Sequence, residues 1–171
     1  YDVVDGRLRI DGVDIRDYSL RGLRRHFGIV LQEAMLFEAS VADNIRLANP
    51  RLSQADVERV ARLAEIHEFI CELPDGYETT IGGRRGISLS AGQGQQLANA
   101  RAVAADPAIL VMDEATSNLD SESEAKIQRA LDRLLEGRTS FIVAHRLSTI
   151  RNADRIVMID GGRIAEVGPH D

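Results

Sequence analysis

Ala108-Ile109-Leu110-Val111-Met112-Asp113-Glu114 is the stretch on which the fold turns. An unbroken apolar run, AILVM, ends abruptly in two adjacent carboxylates. Such a run is a strand buried on both faces, as in a parallel sheet. On its N-terminal side, Asp106-Pro107 stops a helix that starts at Ser90 and runs to about Ala104. On its C-terminal side, Ser121-Glu122-Ser123-Glu124 is a capping box. Ile127, Ala130, Leu131 and Leu134 then recur at helical spacing, with Gly137 as C-cap. Thr139 to Ala144 (TSFIVA) is the next buried strand. Strand–helix–strand with apolar strands predicts an α/β protein with a parallel sheet.

Further out, Phe27 to Leu31 (FGIVL) is another short buried strand, ending at Gln32. Gly6 to Ile15 alternates around Asp11-Gly12, a hairpin signal. Arg155 to Asp160, Gly161-Gly162 and Arg163 to Val167 form a second hairpin. Ser19 caps a short helix to Arg25. The middle of the chain is helical. Ser53 to Asp56 is a capping box with Asp in place of Glu. Val57, Val60, Ala61, Ala64 and Glu68 trace one face of a single helix, broadened by Leu63 and Ile70. Leu73-Pro74-Asp75-Gly76 ends it, and Ile81 to Gly86 (IGGRRG) is a flexible loop by composition. These helices look like a separate lobe inserted into the sheet domain.

Composition narrows the function classes. The 171 residues suffice for one domain with a proper core. Basic residues number 21 and acidic 27, a net charge of −6, which argues against broad nucleic-acid binding. No apolar run approaches the ~18 residues needed to cross a bilayer, and no secretory signal is visible. A single cysteine, Cys71, excludes an internal disulfide framework and fits a reducing compartment. Lys126 is the only lysine.

Four features at strand and helix ends carry chemistry. Asp113 and Glu114 place charge at the carboxyl edge of a sheet, where α/β proteins bind ligands. One carboxylate can hold a metal ion through water, and the next can polarise an attacking water. The bland alternative is a strand ending in solvated acids. Leu89-Ser90-Ala91-Gly92-Gln93 precedes a helix, so its open backbone N–H groups suit a phosphate; an ordinary Ser N-cap explains it equally well. His145, just past TSFIVA, can reach the edge that Glu114 occupies, although a lone His more often packs or faces solvent. His26, His67 and His170 take that plainer reading. Gln32, at the end of FGIVL, can ligate a metal or hold a water, or be a solvated strand end.

Together, in this order, they resemble the nucleotide-binding domain of ABC transporters. IVLQEAMLF is similar to the Q-loop, LSAGQ to the signature motif (usually LSGGQ), and ILVMDE to Walker B. Ser117-Asn118-Leu119-Asp120 is similar to the D-loop, and Ala144-His145-Arg146 to the H-loop. The stretches LFEASVADNI, DEATSNLDSE and AHRLSTIRNADRIVMIDGGRIAEVG resemble exporter-type members most. The resemblance implies a RecA-like P-loop NTPase core with a small antiparallel β-subdomain and an inserted α-helical subdomain. Residues 1–32 and 105–171 would form the partial core with the β-subdomain, and 33–104 the Q-loop and signature-bearing helices. ATP and Mg²⁺ would be the cofactors. Asp113 would hold Mg²⁺ through water, Glu114 would be the general base, and His145 would contact the γ-phosphate. Gln32 would approach Mg²⁺ and the water, and its loop would sense a transmembrane domain. Ser90, Ala91, Gly92 and Gln93 would face the γ-phosphate of ATP held by a second module in a head-to-tail dimer, with Asp120 at the seam. The module would sit on the cytoplasmic face of a membrane.

The chain departs from the family pattern in places. It contains no GxxGxGK[ST] phosphate-binding loop, and Lys126, on an amphipathic helix, cannot supply that loop's lysine. The resemblance therefore implies a truncated piece of an exporter ATPase, inactive by itself and exposing surface meant for a core. Gly94 and Gln96 stand where basic residues are common, which suggests a weakened phosphate edge. Arg84 stands where exporters often carry Glu in a loop touching the transmembrane domain. Two other classes compete: a non-transport ABC-type ATPase, disfavoured by the charge and the exporter-like wording, and a non-catalytic module, disfavoured by intact Glu114 and His145.

Overall fold

The computed structural model describes residues 5–31, 34–113, 121–143 and 153–170, with the side chains of 121–126 set aside. It opens with the expected hairpin: β1 (Arg9–Ile10) pairs antiparallel with β2 (Val13–Asp14). Asp11 and Gly12 both take positive φ, 48° and 84°, as a two-residue type I′ turn requires. α1 (Leu20–Arg25) follows, its first turn closed by the Ser19 hydroxyl accepting the Gly22 N–H. Next come β3 (Phe27–Val30), β4 (Ala39–Ser40), α2 (Val41–Arg46), α3 (Gln54–Leu63) and α4 (His67–Glu72). β5 (Thr80–Ile81) pairs antiparallel with β4. The last third alternates: α5 (Ala91–Ala105), β6 (Ile109–Asp113), α6 (Ser121–Leu135) and β7 (Thr139–Val143). β8 (Ile156–Asp160) and β9 (Arg163–Gly168) form the second hairpin around Gly161 and Gly162, again both at positive φ.

The apolar run quoted first, β6, is the centre of a parallel sheet ordered β3-β6-β7. Phe27 pairs with Ile109 on one side, and Thr139 pairs with Ile109 on the other. Its N-terminal entry is set by Asp106, which caps α5 in the left-handed region (φ 45°) and whose carboxylate meets Arg138 at 2.7 Å. Pro107 then prevents the helix from continuing.

Two apolar clusters flank α5. One gathers Ile45, Val57, Val60, Ile66, Ile70, Ile81 and Leu97 from the helical middle. The other gathers Val30, Leu110, Met112, Ile127, Leu131 and Leu134 from the sheet and α6. Each such side chain contributes roughly 1.5–3 kcal/mol when fully buried. α5 feeds both, Leu97 and Ala100 into the first and Ala102 into the second. Burial on both sides explains why it lacks the single apolar stripe of a surface helix.

Two expectations fail. The single helix from Ser53 to Glu72 is two, α3 and α4, broken where Glu65 adopts φ 58°. That conformation costs a non-glycine residue roughly 1–2 kcal/mol. It is held because the Glu65 carbonyl accepts Gln96 Nε2 at 2.7 Å and its carboxylate meets Arg133 at 2.8 Å and Arg129 at 3.6 Å. The break also turns Glu68 to solvent and Ile66 inward. Nor are the flanking strands buried on both faces. Ile29 is 63% exposed and Phe141 59%, because α5 and α6 cover one face of the sheet and no described element covers the other.

Candidate functional site

Parallel pairing brings three strand ends to one edge. Val30 lies opposite Met112, and Asp113 lies opposite Val143. The Asp113 carboxylate therefore stands exposed at the carboxyl edge of the central strand, with no ion pair among the described residues. Gln32 follows β3 by two positions, Glu114 follows β6 directly, and His145 follows β7 by two. Those three, and Asp120, lie outside the described residues. A carboxylate oxygen at an open edge is the hard ligand Mg²⁺ prefers, alongside waters and phosphate oxygens. The described residues hold no cluster of three His, Cys, Asp or Glu side chains that could ligate a metal unaided.

The α5 N-terminus is a second locus. Ser90 is exposed, and its hydroxyl accepts the Gln93 N–H at 3.2 Å. Gln93 Oε1 accepts the Ser90 N–H in return, at 2.9 Å. This reciprocal box fixes the first turn. It leaves the N–H groups of Ala91 and Gly92 without intrahelical partners, as at any helix start. Gln93 Nε2 stays available as a donor. With the positive end of a fifteen-residue helix behind it, this corner is electrostatically suited to a phosphate.

Of the two departures nearest this corner, Gln96 has a structural explanation and Gly94 has none. Gln96 is buried and donates to the Glu65 carbonyl, so its side chain serves the α3–α4 turn rather than a phosphate edge. Gly94 is buried too, and a Cβ there would meet Ala34 at an ordinary 3.5 Å. The first turn of α5 thus lies against the segment that follows Gln32.

That segment, Ala34–Glu38, abuts the glycine loop. Gly82 sits at φ 71°, and a Cβ there would come within 3.1 Å of the Phe37 carbonyl oxygen. The Arg84 amide donates to Glu38 Oε2 at 3.3 Å. IGGRRG is therefore a docked turn, not the free loop its composition suggests. Met35 (66% exposed) and Phe37, with Arg84 and Arg85, form an outward surface of apolar and basic groups. Sequence reasoning missed Asn44 and Arg101, which hold this segment. Asn44 follows a Ser N-cap and Arg101 lies mid-helix, positions that carry no signal for tertiary contact.

Comparison with known proteins agrees with this arrangement. The family model for the ABC transporter matches residues 1–117. The chain is 50% identical over its whole length to a putative multidrug export ATP-binding/permease protein, YgaD, of Bacillus subtilis, covering 29% of that protein. It is also 50% identical to the ATP-dependent lipid A-core flippase of Syntrophus aciditrophicus, covering 28%. Among solved structures, a bacterial Atm1-family ABC exporter with ATP bound superposes with TM-score 0.89 at 42% identity, over 99% of this chain and 30% of that one. The chain spans less than a third of each of these relatives. Its motif order, its RecA-like α/β architecture and these likenesses agree: the chain belongs to the ABC transporter family, among the ATP-binding domains of exporters.

Proposed function

We propose that this chain is part of the ATP-hydrolysing module of a membrane exporter, coupling ATP hydrolysis to export of a substrate from the cytoplasmic face. The observation that carries the reading is the parallel register that delivers Asp113 to the edge into which β3 and β7 also run. Residues 1–32 with 105–171, and 33–104, are the proposed core and helical divisions, with α5 contributing to the apolar clusters of both.

In this reading Asp113 would hold Mg²⁺ through water, and Gln32 would approach the ion and the attacking water. The ion would supply neutralisation of the charge on the phosphates. Glu114 accepts the proton of the attacking water, and His145 donates to the γ-phosphate and holds that water in line. Ser90, Ala91, Gly92 and Gln93 face the γ-phosphate of ATP bound to a second module in a head-to-tail dimer, with Asp120 at the seam. The reciprocal box pre-sets Ser90 and the free N–H groups for that contact. The transmembrane domain docks on Met35, Phe37 and the Arg84 turn.

In a full-length exporter carrying this chain, Glu114→Gln is expected to lower ATP turnover by about 10²–10⁴-fold, the usual size of a general-base contribution. ATP binding is retained in that variant, and unchanged turnover overturns the assignment. The 171 residues by themselves contain no lysine-bearing phosphate loop, and we propose that they neither bind MgATP tightly nor hydrolyse it. Titration calorimetry is expected to give no heat of binding; micromolar affinity refutes the proposal.

A further inference from the structure

The segment Ala34–Glu38 contains no helix or strand, yet its backbone is gripped. Asn44, 1% exposed on α2, holds Phe37 from both sides. Its Oδ1 accepts the Phe37 N–H at 3.1 Å, and its Nδ2 donates to the Phe37 carbonyl at 2.9 Å. The same Nδ2 lies 3.3 Å from the Ala39 carbonyl and 3.0 Å from that of Ser40. Arg101 reaches across from α5 to complete the grip. Its Nε donates to the Asn44 carbonyl at 2.8 Å, and its terminal nitrogens donate to Asn44 Oδ1 and the Met35 carbonyl. Its guanidinium also lies 5.6 Å from the centre of the Phe37 ring, a cation–π distance.

All these acceptors are neutral. Burial alone pushes the Arg101 guanidinium below its ordinary pKa, so the group bears a desolvation cost without a carboxylate among the described residues to offset it. A half-buried charge without an ionic partner is by itself a poor source of stability. What the guanidinium supplies instead is a planar fork that reaches several acceptors in two chain segments at once. A lysine, a single point charge on a flexible stem, cannot do so.

Arg101 stands on the same rigid helix whose first turn is the Ser90–Gln93 corner. We propose that Arg101 is a positioning residue that locks the segment following Gln32 to α5, so that a partner docked on Met35 and Phe37 and the phosphate-facing end of α5 move as one body. The catalytic consequence rests on the function proposed above; the mechanical link does not.

The test uses a full-length exporter carrying this chain, with Arg101→Lys and Arg101→Met. In both variants, hydrogen exchange in peptides covering residues 34–40 is expected to accelerate by about tenfold or more, the scale of losing charge-assisted hydrogen bonds. Exchange in α3 and α6 is expected to stay within about twofold. The kcat for ATP is expected to fall by about tenfold with KM nearly unchanged, as when only transition-state geometry is lost. Unaltered exchange at 34–40 overturns the proposal, and so does an equal acceleration throughout the chain, which would mark a merely structural role. Full protection and turnover in Arg101→Lys would also overturn it, because charge alone would then suffice. Arg101→Lys keeps the charge and most of the bulk, so it carries the test if Arg101→Met does not fold. An exporter without ATPase activity in its unmutated form would refute the proposed function, while the exchange data would still decide the mechanical link.

Discussion

Asn99 is 1% exposed on α5, and neither atom of its amide has a partner among the described residues. Gln95, one turn earlier on the same face, leaves its Nε2 unpartnered too. An unsatisfied buried amide costs about 1–3 kcal/mol. Asn99→Ala removes that penalty and improves helix propensity, so it is expected to be neutral or stabilising by up to about 1 kcal/mol in denaturant melts. Leu97→Ala, two positions away in the apolar cluster, is expected to cost about 2–5 kcal/mol in the same assay. Asp56 offers a second test at this scale. The Ser53 hydroxyl, then the Arg59 guanidinium, holds its carboxyl below the usual range. A depressed folded value means that its contribution is present above the unfolded pKa of about 3.9 and fades as pH falls through the lowered one. NMR titration of Asp56 is expected to show the low value, and Ser53→Ala to return it toward normal. This capping box was legible in the sequence because all its parts lie within four residues. The amide of Asn99 was not, because periodicity cannot say which face of a doubly buried helix meets no polar partner among the described residues.

Among the elements, legibility follows the range of the cause. The hairpin turns at Asp11-Gly12 and Gly161-Gly162 were readable because positive φ is written into those dipeptides. The break between α3 and α4 was not, since Glu65 is driven there by Gln96, Arg129 and Arg133 from distant parts of the chain. Two glycines make opposite predictions. Gly94 lies inside α5, with room for a Cβ. Gly94→Ala is expected to raise stability by about 0.5–1 kcal/mol through helix propensity. Gly28 lies in β3, where a Cβ would come within 2.6 Å of Pro107 Cγ. Gly28→Ala is expected to cost about 1–3 kcal/mol by overpacking. Thermal melts of the pair check both signs.

At the level of the molecule, apolar strand composition correctly announced a parallel sheet but overstated its burial. Strand sequence records the surroundings a strand is suited to, and Ile29, Phe141 and Val143 are suited to a second layer that the described residues do not provide. A contiguous exposed apolar face of this kind favours self-association. The 171 residues in isolation are therefore expected to elute as aggregates in size-exclusion chromatography with light scattering. Phe141→Ser is expected to shift them toward monomer with little change in melting temperature. A clean monomer of the unmutated chain would contradict this. The candidate site shows the same division: motif order singled out Asp113 and the Ser90 corner as candidates, whereas the Asn44–Arg101 grip needed the fold to appear.

The register of β3 on β6 has a kinetic corollary. Phe27 must find Ile109 with the entire helical middle between them. Closing so long a loop is entropically slow, whereas α3 and α4 are assembled largely from nearby residues. Refolding should accordingly run from the inside of the chain outward, with the helical lobe protected first and the sheet that carries Asp113 zipped last. The carboxyl edge of that sheet would then be the final part of the molecule to acquire its shape.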